Sequence, residues 1–268
     1  MRKLVRFFVY LFVIAGAYYF FNWIGSDDND KHHEHVSIEH VEEHHDDHDG
    51  HGHDIDGHRH SIHASEIETL ESFSKLSVSG AYEVHLTQGD GYTLEAKGND
   101  DDLDRLRYEV NGDKLKVYSE DGTWKFDDEI HLYITSPTFE SIHVSGGVEL
   151  ETENTIESDV LAINVSGAAD LDLNLAVDDL RVGLSGAANA ELEGSAESAS
   201  YSVSGAGHID ADDLKSSSVK IDLSGAAAAD VYATESLDVK ISGAGSVSYK
   251  GDPEVRKSIS GLGSVRKK

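Results

Sequence analysis

"INVSGAADLDL", Ile163 to Leu173, alternates apolar and polar residues as a strand does, yet its centre is Ser166-Gly167-Ala168, which suits a strand interior poorly. The tripeptide admits three readings: a nucleophilic serine on a tight turn, a glycine loop cradling phosphate, or a structural corner. Its recurrence decides between them. The tripeptide or a close variant begins at Ser79, Ser145, Ser166, Ser185, Ser204, Ser224, Ser242 and Ser260, and from Ser145 the intervals are 21, 19, 19, 20, 18 and 18 residues. A near-fixed period of this size is the signature of a solenoid.

Aligning the copies on their serines shows what each position requires. One residue before the serine stand Val144, Val165, Leu184, Val203, Leu223, Ile241 and Ile259, and three before it Ile142, Ile163, Val182, Tyr201, Ile221 and Val239. The last copy breaks the second column with Lys257. Five before the serine come Leu161, Leu180, Ala199, Val219, Leu237 and Val255, with mostly polar residues between. Alternation resumes after the tripeptide with Leu150, Leu171, Ala190, Ile209, Ala229, Val247 and Val265. A period of two on both sides predicts a strand with one buried face, a corner at Ser-Gly-Ala, and a second strand. Glycine supplies backbone angles closed to other residues, and a small neighbour lets copies stack. One copy cannot bury its own apolar face, so the expected fold is all-β: a right-handed parallel β-helix with rungs of 18–21 residues. Serines in register would lie about 4.8 Å apart, close enough for hydroxyls to bond along a ladder.

The catalytic readings fail on context. A nucleophile elbow places serine after glycine on a strand-to-helix turn, and phosphate loops also need a helix N-terminus. Here serine precedes glycine, no helix is predicted after it, and one nucleophile would not need eight copies. Outward positions such as Glu149, Glu151, Asp170, Asp172 and His208 read as a solvated face, so no enzyme is expected. A carbohydrate-active β-helix, with acids and bases in a strand-face cleft, is the catalytic alternative.

Ahead of the repeat, "YEVHLTQGDGYTLEAKG" has alternating arms around Gln88-Gly89-Asp90-Gly91, and "LRYEVNGDKLKVYSE" has arms around Asn111-Gly112. Both predict N-terminal hairpins, with "NDDDLDRLR" between them forming one helical turn. The repeated "VSGA" strands behind "TQGD" and "NGDKL" resemble the head GIN domain of the "putative auto-transporter adhesin" family, roughly from Phe73 to Val265. The resemblance implies an exported β-helical domain and carries over no catalytic residues. It does not reach the first 64 residues.

Those residues divide in two. Residues 1–25 place Arg2, Lys3 and Arg6 ahead of an apolar run from Leu4 to Ile24, long enough to span a bilayer as a transmembrane helix. Basic residues before the run and acidic ones after it predict a single-pass anchor with a cytoplasmic N-terminus and residues 26–268 exported, periplasmic or extracellular. Ala15-Gly16-Ala17 has the form of a cleavage site, so a signal peptide is the rival. Residues 26–64 read as a disordered linker rich in His, Asp and Glu, and residues 65–268 as the β-solenoid domain. The linker carries twelve histidines: His32, His33, His35, His40, His44, His45, His48, His51, His53, His58, His60 and His63. Imidazoles and carboxylates at this density suit loose capture of Zn, Cu or Ni. Over residues 26–63 the formal charge passes from −10 to +2 as the twelve histidines protonate, around pH ~6.5.

The whole chain has 268 residues, no cysteine and a formal charge of −29, which excludes disulfides and thiolate metal sites and argues against nucleic acid as partner. No cofactor is required by any motif. The expected partners are the bilayer through residues 4–24 and an extended polymer, glycan or envelope protein along the solenoid face. The expected function is an envelope interaction or adhesion-like module, with metal capture by the linker as the alternative. The basic end, Arg256, Lys257, Arg266, Lys267 and Lys268, reads as a charged cap against strand addition or as a partner contact.

Overall fold

Strand alternation governs nearly every residue of the computed structural model, which describes residues 67–120 and 129–268 together with the backbone of His60 and Ser61. The strands are β1 (His60–Ser61), β2 (Ile67–Thr69), β3 (Lys75–Gln88), β4 (Thr93–Lys97), β5 (Leu106–Asn111), β6 (Lys114–Ser119), β7 (His131–Ser136), β8 (Ser141–Thr152), β9 (Ile156–Lys250) and β10 (Glu254–Lys267). One helical turn, α1 (Asp100–Leu103), lies between β4 and β5, its first turn capped by the Asn99 side chain, which accepts from the Asp102 N–H. All the strands belong to one mixed sheet. Among the described residues no helix is long and apolar enough to cross a membrane. The expected anchor at Leu4 to Ile24 and eleven of the twelve linker histidines lie outside the described residues, and of His60 only the backbone is placed, opposite Tyr108.

Copies of the repeat pair side by side in parallel. β8 lies parallel to β9 with Ser145 opposite Ser166 and Gly146 opposite Gly167, and β10 lies parallel to β9 with Ser260 opposite Ser242 and Gly261 opposite Gly243. Register therefore shifts by one repeat between neighbours. The buried side chains are those of the aligned columns, including Leu161, Ile163 and Val165 before the corner and Leu171 and Leu173 after it. Burying a Leu, Ile or Val side chain contributes about 1.5–3 kcal/mol, so the columns are the main source of cohesion. The strand runs unbroken through the corner, where Gly167 takes φ +129° and a β-carbon would collide with the carbonyl oxygen of Gly146. The same relation links Gly186 to Gly167, Gly205 to Gly186, Gly225 to Gly205, Gly243 to Gly225 and Gly261 to Gly243. The corner serines share this register, but among the described residues no hydrogen bond joins their hydroxyls; the hydroxyl pair that forms is Ser236 to Ser218, 3.0 Å, at a different bend. The corner points the serine side chains outward, where water competes for them.

The first copy, in β3, is separated from the second by an insertion. Ser79-Gly80-Ala81 lies against Ser145-Gly146-Gly147, as if the 66-residue interval from Ser79 to Ser145 were one repeat. β6 and β7 lie parallel to the two halves of β3 on its other edge, so the inserted strands build a further layer before it. β5 then runs antiparallel to β6 and β4 antiparallel to β7, closing this end.

One of the two expected hairpins forms. β5 and β6 pair around Gly112, which takes φ +63°, with Asn111 opposite Lys114. β3 and β4 do not pair, which corrects the reading of "YEVHLTQGDGYTLEAKG" as a hairpin. β7 stands between them, parallel to β3 and antiparallel to β4. The reason is edge occupancy: β8 holds one edge of β3 and β7 the other, leaving β4 only the far side of β7. The connecting loop is fixed by a Gly89 N–H donating to the Ser136 carbonyl, 3.1 Å, and a Leu70 N–H donating to the Tyr92 carbonyl, 2.8 Å.

Candidate histidine-carboxylate site on an acidic face

Outward residues in the strand after each corner form columns across the copies. Glu83, Glu149 and Asp170 are successive register partners, and so are His85, Glu151 and Asp172. The second column continues in later copies with Glu191, Asp210 and Asp230, whereas the first continues with Asn189, His208 and Ala228. Carboxylates on neighbouring strands repel one another. Glu149 shows the consequence: partial burial, then the charges of Glu83, Asp170, Glu151 and Glu129, hold its carboxyl above the usual carboxylate range. Asp170 is relieved by the Asn189 amide, which donates to it at 2.9 Å.

Cations bound the face at the β10 end. Lys268 Nζ lies 2.5 Å from Asp212 and 2.8 Å from Asp230, and Lys250 Nζ lies 3.0 Å from Asp212. These contacts hold Asp212 below the usual carboxylate range, chiefly through its hydrogen bond with Lys268. Of the basic residues expected to cap this end, Lys267 pairs with Asp252 and Arg256 with Glu254, whereas Leu262 of β10 stays 85% exposed.

At the opposite end stand two histidines. His85 breaks the alternation of β3: it lies on the outward phase, yet it is only 6% exposed. Tyr133, its partner on β7, stacks on the imidazole with ring centroids 4.5 Å apart. His85 Nδ1 lies 2.7 Å from Glu151 Oε1 and 3.1 Å from Glu153 Oε1, while Nε2 lies 3.3 Å from Glu83 Oε1. His131, the partner of Glu83 across the β3–β7 pair, places Nδ1 3.1 Å from Glu83 Oε2. Lys97 sits over Tyr133 at 4.1 Å and is paired with Glu95 at 3.2 Å.

This cluster escaped the sequence reading. His131 belongs to a strand that reaches β3 only through the insertion, so no local spacing joins it to His85. Glu149, Glu151, Asp170 and Asp172 do fall on the outward face as expected, but the first two are drawn into the charged cluster rather than simply solvated. His208 is farther along the face, 3.7 Å from Asp230. A separate open groove of about 340 Å³ crosses another bend, lined by Asp178, Glu197, Ser217, Ser218 and Glu235 among others.

Solved bacterial structures share this fold. A protein described as a putative adhesin from Bacteroides fragilis NCTC 9343 matches with a TM-score of 0.69 and 25% identity, over 76% of this chain and 96% of its own. A protein described as a putative lipid binding protein from Parabacteroides distasonis ATCC 8503 shares the fold at a TM-score of 0.60 and 23% identity, over 76% of this chain and 97% of its own. A putative adhesin from the same organism shares it at 0.55 and 22%, over 80% of this chain and 98% of its own. No curated protein matches this sequence. The model of the family described as "putative auto-transporter adhesin, head GIN domain" matches residues 72–253, well over half the sequence, and the chain belongs to that family.

Proposed function

We propose that this chain is a non-catalytic, exported interaction module of the adhesin type, in which a right-handed parallel β-helix spanning residues 65–268 is carried on the linker 26–64 and held to the membrane by residues 1–25. The observation that carries the reading is the repetition of outward columns at one-repeat register, from Glu83 to Asp170 and from His85 to Asp172. A surface that repeats a carboxylate from copy to copy, as in the column Glu151, Asp172, Glu191, Asp210 and Asp230, suits an extended, repeating partner, because each added contact is entropically cheap once the first is made. The acidic face favours a polymer bearing amines or other cationic groups. Family membership and the adhesin-described neighbours support export and an external partner.

The test is binding of the full chain, solubilised in detergent, to arrays of surface glycans and cell-envelope polymers. Retention of cationic polymers that weakens at high salt, and falls at least tenfold in an Asp170→Asn, Asp172→Asn variant, is the expected result. Silence across a broad panel, or release of cleaved polysaccharide, would overturn the proposal.

A second reading, capture of Zn, Cu or Ni by the linker, rests on its twelve histidines. Calorimetric titration of the full chain and of a chain lacking residues 26–63 decides it: the linker reading requires multi-site binding that disappears with the deletion.

A further inference from the structure

We propose that the folded part of this chain holds a divalent transition-metal ion between β3 and β7, with His85 Nε2, His131 Nδ1 and the Glu83 carboxylate as its protein ligands. The site is separate from the linker histidines and does not depend on the adhesion reading.

The argument starts from the proton on His85. Nδ1 lies between Glu151 Oε1 at 2.7 Å and Glu153 Oε1 at 3.1 Å, both acceptors, so Nδ1 carries the hydrogen. In the neutral ring Nε2 is then a lone pair. That atom is fully buried and has no hydrogen-bond partner. Glu83 Oε1 faces it at 3.3 Å, another lone-pair bearer. A buried lone pair facing another acceptor costs free energy unless a cation lies between them.

The surrounding atoms fit a metal. The ligand atoms of Glu83, His85 and His131 all lie within 4.8 Å of one another. A tetrahedral ion with bonds of about 2.0–2.1 Å needs neighbouring ligand atoms about 3.3 Å apart. The Glu83 oxygens stand 3.3 Å from His85 Nε2 and 3.1 Å from His131 Nδ1. Two imidazoles and one carboxylate select Zn, Ni, Co or Cu over Ca or Mg, which favour all-oxygen shells. Glu151 and Glu153 supply the outer support typical of such histidines, a carboxylate fixing the tautomer through the far ring nitrogen, and Tyr133 fixes the ring plane. His131 and Glu83 are partly exposed, which provides an entry path and a fourth position facing solvent.

A proton on Nε2 is the competing occupant, since imidazolium would donate to Glu83. The experiment separates the two and also separates this site from the linker. Metal bound only by a folded site raises the melting temperature, whereas ligands equally available in the unfolded chain leave it unchanged. The full chain, in detergent and stripped with chelator, is melted with and without ZnCl₂, NiCl₂, CoCl₂ and CaCl₂. Zinc at a hundredfold excess over its Kd is expected to raise Tm by about 5–10 °C. His131→Ala and Glu83→Gln, each at a partly exposed position, are expected to lose that rise while melting near the wild type without metal. The proposal is overturned if none of Zn, Ni and Co moves the wild-type Tm, if both variants shift as much as the wild type, or if calcium alone is effective.

Discussion

Glycine at the corner is the residue on which the repeat turns. Gly167 combines φ +129° with a hydrogen where a β-carbon would meet the Gly146 carbonyl oxygen. Even alanine there must adopt a backbone region closed to it and push back the preceding copy, so Gly167→Ala is expected to cost about 3 kcal/mol or more. Ser166 beside it is exposed and makes no bond to its register partners, so Ser166→Ala is expected to change stability by under about 0.5 kcal/mol. Urea melts of the two variants check this pair of outcomes. Equal losses would mean that the serine shapes the corner as much as the glycine does. The glycine's role was legible in the sequence because eight copies made the position stand out. The hydroxyl ladder was not, because it depends on side-chain direction.

At the scale of single strands, volume is balanced within a copy. The copy that carries small Ala199 five residues before its serine carries Tyr201 at three before, where its neighbours carry Leu180 with Val182 and Val219 with Ile221. Tyr201 is among the largest fully buried side chains, and its burial pushes the phenol up. Tyr201→Ala leaves a cavity that the rigid register cannot close, with an expected cost of about 3–5 kcal/mol. The double variant Ala199→Leu, Tyr201→Ile recreates the Leu161–Ile163 pair of an earlier copy and is expected to recover more than half of that loss in the same melts. If it recovers none, the aromatic ring has a role beyond filling space. Strand identity was legible throughout, since buried and exposed residues alternate as the pattern demands. Partner choice was not: β4 avoids β3 because β7, more than forty residues downstream of β3, occupies the edge first. Local turn chemistry contains no trace of that competition, and the same blindness hid the His85–His131 pair.

At the scale of the whole molecule, with its formal charge of −29, two carboxyls bend stability with pH in opposite directions. Glu149 binds its proton more tightly folded than unfolded, because burial and the charges of Glu83, Asp170, Glu151 and Glu129 disfavour the anion. Stability therefore rises as pH falls from neutral through the raised folded value, and the gain is complete below the unfolded value of about 4.3. Asp212 has the opposite sign. Its hydrogen bonds with Lys268 and Lys250 hold it below the usual range, so its contribution is present above about pH 3.9 and is lost as pH falls through the depressed value. The two contributions therefore oppose each other as pH falls from neutrality. Glu149→Gln isolates the first limb: with the repulsion removed, the variant is expected to be more stable than the wild type at pH 7 by about 0.5–1 kcal/mol, and the difference is expected to vanish near pH 4. Thermal melts of both chains from pH 7 to pH 4 check it, and a difference constant with pH would assign the gain to packing instead of charge. The comparison belongs in chelator-treated protein, because a cation bound by Glu83 would itself relieve the repulsion on Glu149 and mask the effect of the substitution.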